Sequence, residues 1–130
     1  MSATEALRQD HKQIRRLEKV IIQCHKKLYT GQNIPFSDIE QITTIISEFL
    51  DAIHYSREED AYFPCVASYD LKKEIRAFMI EHEFARRIAK SIMTHLQRWK
   101  EGQDAREPVA RLVITVCIVC ILNSSYIIIL

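Results

Sequence analysis

Glycine occurs only twice and proline three times in the 130 residues. So few turn formers exclude the sandwiches and small barrels that need them, and suit long uninterrupted helices. Charge of one sign is lacking too, since the net charge is +1, which gives no reason to expect nucleic acid as a partner. There is no glycine-rich phosphate loop and no nucleophile beside a base, so an enzyme is not expected. The first residues, MSATEALRQDHK, have no apolar run of the secretory kind, and the four cysteines (Cys24, Cys65, Cys117, Cys120) are expected to be reduced in a cytoplasmic protein. Cys117 and Cys120 form a CxxC without a second pair or a neighbouring histidine, so two small core residues are the better reading.

The last thing missing is charge beyond Arg111. As a helix, residues 112–130 (LVITVCIVCILNSSYIIIL) would span about 28 Å, close to the roughly 30 Å of a bilayer core. A membrane anchor therefore stands beside a buried helix as a reading of this apolar segment. Against the anchor, Asn123, Ser124 and Ser125 are polar groups that hydrocarbon would penalise.

What is present is helical periodicity. The chain is long enough to form one domain, 1–130, burying about two-thirds of its unfolded surface. A first helix is predicted from about Thr4 to Tyr29, opened by a Ser2–Glu5 capping box and closed by Gly31, with Leu7, His11, Ile14, Leu17, Ile21, Cys24 and Leu28 as its buried stripe. Arg8, Lys12, Arg15, Arg16 and Lys19 form its solvated face. A second begins after Pro35, with Ser37 and Glu40 as a capping box, turns Ile39, Ile42, Ile46, Phe49, Leu50 and Ile53 inward, continues that stripe through His54, Glu58 and Ala61, and stops near Tyr62 because of Pro64. Glu59 and Asp60 are expected in solvent.

A third helix is predicted from about Leu71 to Lys100, capped by Asp70 or Ser68, with Leu71, Ile75, Phe78, His82, Ala85, Ala89, Ile92, Leu96 and Trp99 recurring at spacings of three and four. After the polar link EGQDARE, Pro108 is placed to open a fourth helix, starting near Glu107 and running to the end. That helix is rich in β-branched residues and must rely on packing. His25 and His95 are expected at the surface.

His54 and Glu58 are four residues apart, so an imidazole and a carboxylate stand one above the other on one helix face, the spacing at which both can ligate one ion. Short connections imply antiparallel neighbours in an up-down bundle. Counting rise per residue puts His11 about 27 Å and His54 about 24 Å from the first turn. Across the second turn, His54 and Glu58 lie about 12 and 6 Å from the helix end, and His82 about 18 Å from the start of the third helix. Three helices thus aim His11, His54, Glu58 and His82 at one level. Burying Glu58 there without a cation or donor would cost several kcal/mol or force it to protonate. At the same level the fourth helix offers Ser125, Tyr126 and Ile127, of which Tyr126 could give a phenolate oxygen.

These motifs, taken together, resemble the hemerythrin-like HHE cation-binding family. DHKQI carries His11, HYSRE carries His54 and Glu58 with Phe63 and Pro64 behind, and IEHEFARR carries His82. The match runs over about residues 5 to 110. The resemblance implies a four-helix bundle holding non-haem iron as a di-iron centre, with His11, His54 and Glu58 on one iron, Glu58 bridging, and His82 on the other. It also implies binding or sensing of O2, NO or iron itself; with Glu58 as the one carboxylate in reach, too few for oxygen activation, catalysis is not expected. The sequence departs from the family pattern in the fourth helix, which lacks the second HxxxE. A truncated or frame-altered end and a loss of the second metal both account for that. The alternative reading is a metal-free bundle that acts as an interaction module, or is held to a membrane by residues 112–130. A homodimer in which a second chain completes the site is a variant of the first.

Overall fold

The computed structural model describes residues 2–66 and 70–121. It is an all-α bundle of four helices, with no strand among the described residues. We number them α1 (Ala3–Tyr29), α2 (36–65), α3 (Lys72–Lys100) and α4 (106–121). Helices α1 and α3 both pack on α4, and α2 packs on α3.

The start of α1 is set locally. Glu5 donates its backbone N–H to Ser2 Oγ at 3.2 Å, and Ser2 donates its own to Glu5 Oε2 at 3.1 Å, which closes the expected capping box. At the other end Gly31 has φ +74°, a left-handed value open to glycine, and Gln32 N–H returns to Lys27 O at 3.0 Å. All seven residues of the α1 stripe are buried, His11 among them.

Helix α2 departs from the simple pattern. Between its α-helical start, Phe36–Ile45, and its last turn, Phe63–Cys65, lie two π-helical stretches, Ile46–Tyr55 and Glu58–Tyr62. Their wider turns are seen in Ser56 N–H reaching back to Asp51 O and Phe63 N–H to Glu58 O. Four residues of α-helix advance by about 400°, so a strict spacing of four drifts by about 40° per step. The wider turns take up that drift. Ile46, Leu50, His54 and Glu58 therefore all face the core, each at most 1 % exposed. The same change of phase corrects two expectations: Ile53 is 42 % exposed and Ala61 is exposed, because each belongs to a stripe that only an unbroken α-helix would continue. Nor does the helix stop at Tyr62. It runs through Pro64, and Phe63 is held in helical geometry by burial of its ring beside Leu7.

Other predicted boundaries shift as well. Pro35 rather than Ser37 caps α2, with no side-chain bond, and Glu40 pairs with Lys100 instead. Leu71 precedes α3, also without a side-chain cap; Ser68 lies outside the described residues. Helix α4 starts at Arg106, whose N–H bonds Asp104 Oδ1 at 3.1 Å, so Pro108 is its third residue and not its first. Its inward residues Val109, Ala110, Val113, Val116 and Cys117 are buried. The expected course of the fourth helix to residue 130, with Asn123, Ser124, Ser125, Tyr126 and Ile127, falls outside the described residues from 122 onward.

Arg106 locks α4 to α1 by donating to Leu28 O and Gln32 O at 3.3 and 3.0 Å while its guanidinium lies 5.2 Å over the Trp99 ring. His25, expected at the surface, is half-buried and donates its Nδ1 hydrogen to Ala110 O at 3.1 Å. His95 is also half-buried. Of the described cysteines, Cys24, Cys65 and Cys117 are free. Among the described residues no helix is long and apolar enough to cross a membrane.

Candidate metal centre

Three helices deliver the four expected residues to one spot. His11 comes from the third turn of α1, His54 and Glu58 from the π-helical part of α2, and His82 from α3, all of them buried. Glu58 stands at the centre. Its Oε1 is 2.8 Å from His54 Nε2 and 4.0 Å from His11 Nε2, and its Oε2 is 2.7 Å from His82 Nε2. The His11 and His54 rings meet edge to face at 4.9 Å. A set of ligand atoms from His11, His54 and Glu58 lies within 4.8 Å of one another.

The neighbours decide which way the rings are protonated. His54 Nδ1–H donates to Asp10 Oδ2 at 3.1 Å, and His82 Nδ1–H donates to Glu59 Oε2 at 2.8 Å. A carboxylate only accepts, so Nδ1 carries a proton in each ring and Nε2 is the atom turned toward Glu58. A ring nitrogen 2.7–2.8 Å from a carboxylate oxygen requires a positive centre between them, either a proton or a metal ion. Both Glu58 oxygens, His54 Nε2 and both nitrogens of His11 lack a properly directed hydrogen bond among the described residues. Buried, convergent and unsatisfied, these atoms fit a cation.

Electrostatics agrees. Burial pushes the Glu58 carboxyl up, but His11, His54 and His82 outweigh it and hold the group below the usual carboxylate range. Glu58 is therefore an anion ready to ligate.

Outside the four ligand candidates lies a ring of supports. Arg57 donates to Asp10 Oδ1 at 2.6 Å; Arg86 donates to Glu59 Oε2 at 2.6 Å and to Asp51 Oδ1 at 2.7 Å. Burial alone would lower Arg86, and its bonds to Asp51 and Glu59 raise it beyond an ordinary guanidinium, so it stays charged. The Tyr55 ring stacks on His82 at 3.8 Å and forms the floor of a cavity of about 350 Å³ between α2 and α3, whose walls include Ser47, Asp51 and Arg86. At the other side an apolar group of Leu7, Phe63, Tyr62, Ile75 and Phe78 closes the bundle, with Phe63 stacked 6.0 Å from His82.

The sequence reading missed these supports. Asp10 had a signal: Leu7, Asp10, Ile14, Leu17 and Ile21 recur at three and four, so Asp10 sits on an inward stripe. Glu59, expected in solvent, had none, because only the π-helical phase of α2 turns it toward His82. Asp60 is exposed, as expected.

The model of the hemerythrin HHE cation-binding domain family matches residues 2–117 of the chain. No curated protein and no solved structure gives a match.

Proposed function

Because the chain belongs to the hemerythrin HHE cation-binding family, we propose that it binds a transition metal, iron being the family's usual choice, through His11, His54, Glu58 and His82. The observation that carries this reading is the convergence of His54 Nε2 and His82 Nε2, 2.8 and 2.7 Å away, on a buried carboxylate whose two oxygens have no well-directed hydrogen bond among the described residues.

What the chain's own residues do follows from their contacts. Asp10 and Glu59 fix the tautomer and orientation of His54 and His82, the role that outer partners play around metal-ligating histidines. Arg57 and Arg86 in turn fix those carboxylates. Leu7, Phe63 and Phe78 exclude water on one side, and Tyr55 holds the His82 ring flat on the other. Four donors among the described residues would leave coordination positions open, and iron bound there would supply reversible capture of O2, NO or a similar small ligand. One carboxylate in direct reach is too few to support the high oxidation states of oxygen-activating centres. We therefore read the protein as a binder or sensor and not as an oxidase.

The test is anaerobic reconstitution of the metal-free chain with ferrous iron, desalting, and metal analysis. Stoichiometric retention, with an optical change on exposure to NO, is the expected result. Less than about a tenth of an ion per chain would leave the metal-free interaction module as the better reading.

A further inference from the structure

We propose that the centre of this chain holds one divalent transition-metal ion, where His11, His54 and Glu58 Oε1 converge, and not the pair of ions that the family resemblance implies. This deepens the metal-binding reading and rests on it.

The two sides of Glu58 differ in what they can give an ion. On the Oε1 side stand two imidazoles, one of which, His11, has both nitrogens unsatisfied. Two histidines and a carboxylate with positions left open form the ligand set associated with single non-haem iron sites. On the Oε2 side the donor in hydrogen-bonding reach among the described residues is His82 Nε2. Glu59 is a further carboxylate beside His82, and its Oε2 is already held by His82 Nδ1 and by Arg86. Drawing it onto a second ion would break both bonds and leave the Arg86 cation beside a new positive charge. Glu81 precedes His82 by one residue and so stands about 100° around α3 from it.

The described side chains of α4 do not make up the deficit. Those that are buried are Val109, Ala110, Val113, Val116 and Cys117, and the Cys117 thiol is not part of the cluster of ligand atoms formed by His11, His54 and Glu58. Residues 122–130 contain no acid and no histidine, whatever their course, and Tyr126 is their one ionisable side chain.

Charge leads to the same count. The acids around the imidazoles, Asp10, Asp51, Glu58 and Glu59, carry four formal negative charges against the two positive charges of Arg57 and Arg86, which leaves two, with Glu58 facing the ligand position. One divalent ion meets that charge; a second would be buried with no anion to offset it.

Cobalt(II) titration of the metal-free, full-length chain, followed by visible absorption and by metal content after desalting, tests the count. A single break at one ion per chain, with the magnetic signature of an isolated high-spin ion, is expected. Two ions per chain would overturn the inference and leave metal binding standing, whereas no uptake would overturn both. Half an ion per chain would mean a site shared between two copies and also overturns it. The variants His11→Ala and His82→Ala, each checked for retained helix by circular dichroism, locate the ion. His11→Ala should lower cobalt affinity more than His82→Ala does; the reverse order would reject the assigned position.

Discussion

On one side of Glu58, His54 is braced by Asp10, which Arg57 holds; on the other, His82 is braced by Glu59, which Arg86 holds. The two braces are built alike, imidazole to carboxylate to guanidinium, yet they surround different numbers of donors. His11 joins His54 on the first side, while on the second the aromatic faces of Tyr55 and Phe63 occupy the surroundings of His82. A second difference is depth. The Arg57 side chain is 45 % exposed, whereas that of Arg86 is 27 % exposed and shared with Asp51. Bracing a ring fixes its direction, and only the number of converging donors decides whether an ion stays.

Substitutions can break or sharpen this comparison. Glu58→Ala removes the group that both sides use, and stoichiometric metal retention after desalting should be lost. Asp10→Asn should weaken metal affinity by about 10–100-fold, the usual loss when an outer partner of a ligating histidine is removed, and Glu59→Gln should weaken it by less than about tenfold if His82 is not the principal ligand. Competition with a chelator measures both, and equal losses would count against the asymmetry.

In the metal-free chain, Glu58→Gln reports on the carboxylate itself. Its folded-state value lies below the ordinary 4.5, so its contribution to stability is complete above about pH 4.5 and is lost as the pH falls below that. The melting-temperature gap between wild type and Glu58→Gln should stay constant from pH 7 to pH 5 and narrow toward pH 3. Arg57→Gln should change unfolding free energy by less than about 1 kcal/mol, because solvent screens the half-exposed guanidinium and Asp10 keeps His54 as a partner. The smallest effect is expected at Ile53, where Ile53→Gln should stay within about 0.5 kcal/mol of wild type, while Leu50→Ala, three residues away, should cost about 2–5 kcal/mol. Urea unfolding separates the two, and a large loss at Ile53 would contradict the π-helical phase of α2.

Much of the bundle was legible because α1 and α3 are regular. Their stripes repeat at three and four without interruption, and every residue assigned to the α1 stripe is buried. The capping box at Ser2 and the left-handed Gly31 could be read because the groups involved are within five residues of one another. Helix α2 was harder. An α-helical count keeps His54 and Glu58 inward but also keeps Ile53 inward and Glu59 outward, and no residue type in 46–62 announces a wider turn. The Ser37 cap failed because Glu40 found a partner in Lys100, more than fifty residues away. His25 was misplaced for the same kind of reason, since its partner is a carbonyl of α4.

By itself, the sequence determined four helical segments, the identity of the three histidines and one glutamate, and the want of any acid or imidazole beyond Arg111. These depend on residue type and on spacing within a segment, and both are carried along the chain. Only the tertiary structure decided the phase of α2, the direction in which each imidazole nitrogen points, and the capture of Glu59 and Asp51 by Arg86. Those depend on groups that meet across helices, where packing and charge pairing override local preference.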